Sequence, residues 1–227
     1  MALPDVQHHI IACHRCPRLR RYCQRVAIEK KAAHRDEVYW GRPVPGFGDP
    51  GARLLVVGLA PAAHGANRTG RVFTGDGSGD FLMRAMHAAG FANQPRSHDA
   101  RDGLVLCDAY IAAAVRCAPP GNKPTPGEIA ACRPHLVAEF DALPRVRVLL
   151  ALGRIAFVAC LSLLAGRCAT PRPRPAFGHG VVHDFGRDVP ALVASYHPSR
   201  QNTNTGKLTP QMLADVFRTA RRLIDHS

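Results

Sequence analysis

Four short apolar runs limit what this chain can fold into more than any other feature. They are Arg53-Leu54-Leu55-Val56-Val57-Gly58, a stretch within Leu104 to Val115, Val146 to Gly153, and Ala191 to Tyr196. Runs of this length, bounded by Gly, Pro and polar residues, suit strands buried on both faces. Between and after them lie helical patterns. Ser78 is placed to cap a helix through Phe81, Leu82, Ala85 and Met86 that stops at Gly90. Further helices are expected over Pro126 to Leu143, Ile155 to Leu164 and Pro210 to Ile224. The alternation predicts an α/β fold in three layers, α/β/α, around a central, mainly parallel four-stranded sheet.

With 227 residues the chain has the length of one domain, 1–227, able to bury a substantial core. Residues 1 to about 51 read as an N-terminal extension, helical at first and then irregular. Its tail, YWGRPVPGFGDPG, holds too many Pro and Gly to continue a helix. Gly166 to Arg174, rich in Pro and Arg, reads as a surface excursion. No apolar run is long enough to span a membrane, and the first residues lack the pattern of an export signal. A cytoplasmic monomer is the expectation. Thirty Lys+Arg against 17 Asp+Glu give a formal net charge of +13, which favours a polyanionic partner. A coding bias toward Arg is the alternative source of that excess.

Eight cysteines in a chain expected to stay in a reducing compartment argue against a disulfide framework. Cys13 and Cys16 form a C-x2-C pair followed by Pro17; Cys117 and Cys132 form a wider C-x14-C pair. Two such pairs can close a four-sulfur site for zinc or an iron–sulfur cluster, and spacing alone does not choose between them. Cys23, Cys107, Cys160 and Cys168 read as small buried apolar residues, Cys107 within a strand.

The unusual polar sequences follow the apolar runs: GLAPAAHGANRTGRVFTGD after the first, RCAPPGNKPTP after the second, HPSRQNTNTGKLTP after the fourth. In open parallel sheets, ligands bind beyond the carboxyl ends of the strands, so these three loops should converge. The first lacks the Lys-Ser/Thr ending of a phosphate-binding P-loop. Phe73 within it could stack on a flat base or anchor the loop, and Asp76 could simply cap the helix that follows. His197, held by Pro198, is placed to donate a hydrogen bond to a carbonyl or developing oxyanion.

Taken together, the long first loop, the His197-Pro198-Ser199 loop and the four-cysteine spacing resemble the iron–sulfur uracil-DNA glycosylases of type b, the fifth family. The resemblance runs from Cys13 to about Thr209. It implies a DNA-repair hydrolase that flips uracil out of DNA and cuts its N-glycosidic bond. It also implies a 4Fe–4S cluster on Cys13, Cys16, Cys117 and Cys132. By motif position Asp76 matches the proposed catalytic carboxylate, His197 the histidine facing the base O2, and Phe73 the stacking aromatic. Gly58, Leu59 and Ala60 would line the pocket floor. His64, Asn67, Arg68 and Arg71 are expected to face phosphates, as are Ser199 and the loop after it, with Arg200 or Leu208 as the wedge that fills the vacated stack.

Two departures carry consequences. Better-known glycosylases of this fold hold Asp or Asn where this chain has Ala60, which leaves Asp76 as the nearest carboxylate. Type-a enzymes read the uracil edge with an Asn where this chain has Ala113. A pocket without that partner should accept hypoxanthine and xanthine as well as uracil. Asn122 is a candidate for part of the missing contact. The competing readings are a DNA-binding or DNA-crosslinking iron–sulfur relative without turnover, and an iron–sulfur redox protein.

Overall fold

The computed structural model describes residues 1–165, 167 and 173–226. Its centre is a six-stranded sheet in the order β1-β3-β2-β4-β6-β5. The four predicted runs become β2 (Leu54–Gly58), β3 (Ala109–Ala113), β4 (Val148–Leu152) and β6 (Ala191–Ser195). They pair in parallel, with Gly58 opposite Ala113, Val57 opposite Ala151 and Leu152 opposite Ser195. The expected four-stranded sheet is therefore corrected to six. The extra strands are β1 (Phe47–Gly48) and β5 (Val182–His183), which add antiparallel to the two edges. Each is only two residues long, too short to leave a period in the sequence.

Side chains alternate across the four inner strands and divide the core in two. Leu54, Val56, Ile111, Leu150 and Val193 face a layer built on α4 (Gly77–Ala88) and α8 (Pro210–Asp225). Leu55, Val57, Tyr110, Leu149 and Leu192 face α5 (Pro126–Asp141), α6 (Arg154–Leu164) and the start of α1 (Leu3–Ile11). This is the expected three-layer arrangement. Among the described residues, no helix is long and apolar enough to cross a membrane.

The N-terminal segment joins this body at several points. Helix α1 lies on α5, and α2 (Pro17–Glu29) follows with Pro17 at its first turn. The irregular tail is held by backbone bonds: Val44 N–H donates to Arg116 O at 2.7 Å and Asp49 N–H to Ala109 O at 2.9 Å. Beneath it, Glu139 is fully buried, and its Oε1 accepts from Gly46 N–H at 2.8 Å and Tyr110 O–H at 3.2 Å. Arg116, equally buried, pairs with Glu139 Oε2 at 2.6 Å. A buried charge is tolerated when so paired.

One of the cysteines set aside as apolar is placed differently. Cys107 is exposed and precedes β3 rather than lying in it. Cys168 lies outside the described residues, as does much of the Gly166 to Arg174 excursion. Cys23 and Cys160 are fully buried as expected.

Candidate active site

The parallel order puts the exits of β2, β3, β4 and β6 on one edge of the sheet, where the unusual loops meet. Pairing of β2 with β3 continues past the strands: Ala114 N–H donates to Gly58 O and Val115 N–H to Leu59 O, both at 2.9 Å. This fixes Gly58, Leu59 and Ala60 beside Ala113 as a floor. Phe73 lies over that floor, its backbone in the left-handed region at φ 49°. A methyl on Gly58 would stand 2.6 Å from Phe73 Cε2, so only glycine admits the ring there.

Asp76 is the N-cap of α4. Its Oδ1 accepts from Ser78 N–H at 2.9 Å and Gly79 N–H at 3.0 Å. The capping role is thus seen in one oxygen, while Oδ2 stays out of the cap. A methyl on Gly65 would lie 2.1 Å from Oδ2, so the carboxylate sits directly against that glycine's backbone. Burial raises the Asp76 pKa above its ordinary value, opposed by the two helix amides.

His197 leaves β6 and packs near Phe73. Its ring centroid is 5.8 Å from that of Phe73, at an interplanar angle of 32°. Its Cβ is 3.3 Å from where a methyl on Gly153 would sit, at the exit of β4. Asn202 Nδ2 donates to His197 O at 2.8 Å and fixes the loop. Burial pushes the His197 pKa down to about 4, so the ring is neutral near pH 7. A neutral imidazole can present its N–H to an acceptor without importing a charge. The carboxylate and the imidazole lie at the same edge of the sheet. Arg200 Nε comes within 3.8 Å of where a methyl on Gly77, next to Asp76, would sit.

Several expected DNA contacts are instead parts of the scaffold. Asn67 is fully buried. Arg68, also buried, pairs with Glu37 and donates to His64 O and Gly75 O, both at 2.9 Å. Arg71 is buried against Asp102, its Nη2 2.7 Å from Oδ2, and donates to Thr74 Oγ1 at 2.9 Å. The two guanidinium groups are spent on Glu37, Asp102 and neighbouring loop oxygens, so they do not present their charge to a backbone phosphate. His64 keeps a partly exposed side chain, its Nδ1 3.1 Å from Tyr39 Oη. Leu208 is fully buried in the core beside α8, which removes it as a wedge. Leu208→Ala should therefore act on stability, costing about 2–5 kcal/mol in denaturant unfolding, and leave DNA affinity unchanged. Ser199 caps the short helix α7 (Arg200–Asn204), and Arg200 is exposed at its first turn. Asn122 is exposed on a turn at Pro120–Asn122, with φ 58°.

The sequence reading missed the residues that hold these groups in place. His179 Nδ1 accepts from Tyr196 N–H at 3.2 Å, and its ring stacks on Tyr196 with centroids 5.0 Å apart. It fixes the residue just before His197, yet nothing about Gly178-His179-Gly180 separates it from an ordinary loop. Gly65, by contrast, stood in the unusual first loop.

Cys13, Cys16, Cys117 and Cys132 line one small cavity at the junction of α1, α2, the β3 exit and α5, together with Arg15, Arg20 and Arg116. Arg116 N–H points to Cys132 Sγ at 3.2 Å. Burial raises the Cys132 pKa to about 11 and, with the neighbouring cysteines, raises that of Cys16. Thiols that resist ionisation so strongly become thiolates when a bound cation compensates them.

The family model for the uracil DNA glycosylase superfamily matches residues 45–221. The chain is 54% identical over 215 residues to a type-5 uracil-DNA glycosylase of Mycobacterium tuberculosis, covering 94% of this chain and 79% of that protein. The chain belongs to the type-5 uracil-DNA glycosylases. Similarity to other members is of the same order: 51% over 223 residues for Mycobacterium leprae, covering 98% and 96% of the two chains. For the Thermus thermophilus protein it is 50% over 216 residues, covering 94% of each. In this family member the floor, Phe73, Asp76 and His197 occupy one edge of the sheet, and the cysteine cavity lies at the foot of the neighbouring loops.

Proposed function

We propose that the chain is a DNA-repair enzyme that hydrolyses the N-glycosidic bond of uracil in DNA after the nucleotide has swung out of the helix. The observation that carries this reading is the gathering of the Phe73 ring, the buried Asp76 carboxylate and the neutral His197 imidazole at one sheet edge, beside Gly58 and Ala113. Phe73 offers a face on which a flipped pyrimidine stacks. As the bond breaks, positive charge grows on the sugar and negative charge on the departing base. Asp76 Oδ2 supplies the negative partner and can orient water toward C1′; the N–H of His197 stabilises the base oxygen. Arg200, exposed at the start of α7, is the remaining wedge candidate, and Ser199 and His64 are left to touch the backbone. The mechanism requires no amine nucleophile, so strand cleavage awaits a separate step.

Ala113 offers a methyl where discrimination would need a hydrogen-bonding group. A pocket without such a group does not strongly reject the wrong base. Hypoxanthine and xanthine are therefore expected substrates beside uracil. Release of free base from matched oligonucleotides, followed by alkali, tests both claims. Alkali-labile sites at all three bases are expected; activity confined to uracil overturns the wider range, and a denaturant-resistant protein–DNA adduct overturns turnover itself.

Cys13, Cys16, Cys117 and Cys132 would hold a 4Fe–4S cluster. They line one small cavity together, the shared setting that a four-cysteine cluster needs. Such a cluster would cross-link α1, α2 and α5 to the sheet, making residues 1 to about 51 an anchored extension of a single domain. Iron and acid-labile sulfide analysis tests this directly.

A further inference from the structure

Helix α2 carries Cys16 at its N-cap and Arg20 on the wall of the cysteine cavity. Its second half reaches the loop that ends at Asp76. The short helix α3 (Ala66–Thr69) inside that loop packs on α2, and Asn67 is the residue at the contact. The Asn67 amide donates to Cys23 O and to Ala63 O, both at 3.3 Å. The two carbonyls fix which end of the amide is nitrogen, because neither can donate. Its backbone completes the tie. Asn67 O accepts from Gly41 N–H at 3.0 Å, and Gly41 O accepts from Arg20 Nη1 at 3.1 Å. A closed path of hydrogen bonds thus runs from the cavity wall through Arg20 and Gly41 to the first loop, and back through Asn67 to α2.

Asn67 has no solvent exposure, and its Oδ1 finds no partner among the described residues. A buried unpaired acceptor is costly, and an apolar side chain of the same size would avoid it. Filling space therefore does not explain an amide here, whereas joining Cys23 O to Ala63 O does. We infer that Asn67 is a positioning residue that couples the cysteine centre to the loop bearing Asp76, so that order at the centre sets the placement of the carboxylate. The inference rests on the reading of Asp76 as the reacting carboxylate and of the four cysteines as cluster ligands.

Asn67→Leu keeps the branched shape and the heavy-atom count and removes both donors. Single-turnover excision of uracil should fall about ten- to a hundredfold, the loss expected for a misplaced reacting group. DNA affinity should stay within about twofold, and iron per chain should be unchanged. Hydrogen exchange across residues 62–76 should quicken in this variant, and equally in the wild-type protein after its iron is oxidised away. A wild-type excision rate in the variant overturns the inference, as does a loss that only tracks lost iron. Unchanged exchange over 62–76 in the iron-depleted wild type overturns the coupling. Should Asn67→Leu not fold, Asn67→Ala, which removes the same two donors and adds no bulk, carries the same expectations. Absence of iron and sulfide from the purified wild type would end the cluster reading instead, while a slow Asn67→Leu would still mark the loop tie.

Discussion

Asp76→Asn should slow single-turnover release of uracil by about 10²–10⁴-fold, the range for loss of an acid–base group, with DNA affinity nearly unchanged. The substitution is informative because Asn is as good an N-cap as Asp. Its carbonyl oxygen can keep the bonds to Ser78 N–H and Gly79 N–H, so α4 stays capped and only the charge at the other oxygen goes. The pH profile supplies a second check. The ionised carboxylate is the working form, and burial places its pKa above the ordinary carboxylate value. The wild-type rate should therefore fall as pH drops through a limb above that value, and the limb should vanish in Asp76→Asn. His197, with a pKa near 4, should add no limb between pH 5 and 8. An undiminished rate in Asp76→Asn would remove Asp76 from the chemistry.

Gly65→Ala should be nearly as damaging, although the residue carries no functional group. Its methyl would fall 2.1 Å from Asp76 Oδ2, so the carboxylate must turn away or the loop must shift. A displacement of about 1 Å at a reacting group can cost about a hundredfold in rate. Loss of the cap should add about 1 kcal/mol of destabilisation. Gly127→Ala is the matching control, since its methyl would meet only Thr125 Oγ1 at 4.0 Å. Its rate should equal that of wild type. A Gly65→Ala rate within about twofold of wild type would show that Oδ2 does not need this seat.

The elements legible in the sequence were those whose burial repeats along the chain. The inner strands and the long helices announce themselves because one buried face demands a fixed period. For instance, Ala191 to Tyr196 differs from the observed Ala191–Ser195 by one residue at its end. The two-residue strands β1 and β5 have no period to show, and the short helices α3 and α7 were hidden in loops chosen for their polarity.

The same limit applies at the site. Residues that stand out chemically, such as Asp76, Phe73, His197 and the cysteine pairs, could be picked out one by one, and the structure gathers them at one sheet edge and one cavity. The error lay in reading every polar residue of an exposed-looking loop as exposed. Arg68 and Arg71 meet Glu37 and Asp102, partners 31 residues away in opposite directions that no local pattern links to them. Leu208 follows a polar run, yet it belongs to the core because Leu208 N–H bonds back to Asn202 O at 3.0 Å. Positioning residues such as His179 and Asn67 depend on which backbone atoms lie opposite, and only the folded chain fixes that.

The most direct measurement is a crystal structure of the protein with duplex DNA carrying 2′-fluorinated deoxyuridine, whose glycosidic bond resists cleavage. The expected density shows uracil outside the helix on the ring of Phe73, O2 within hydrogen-bond reach of His197, and C1′ facing Asp76 Oδ2. Uracil still stacked in the duplex, or bound away from these three side chains, would contradict it.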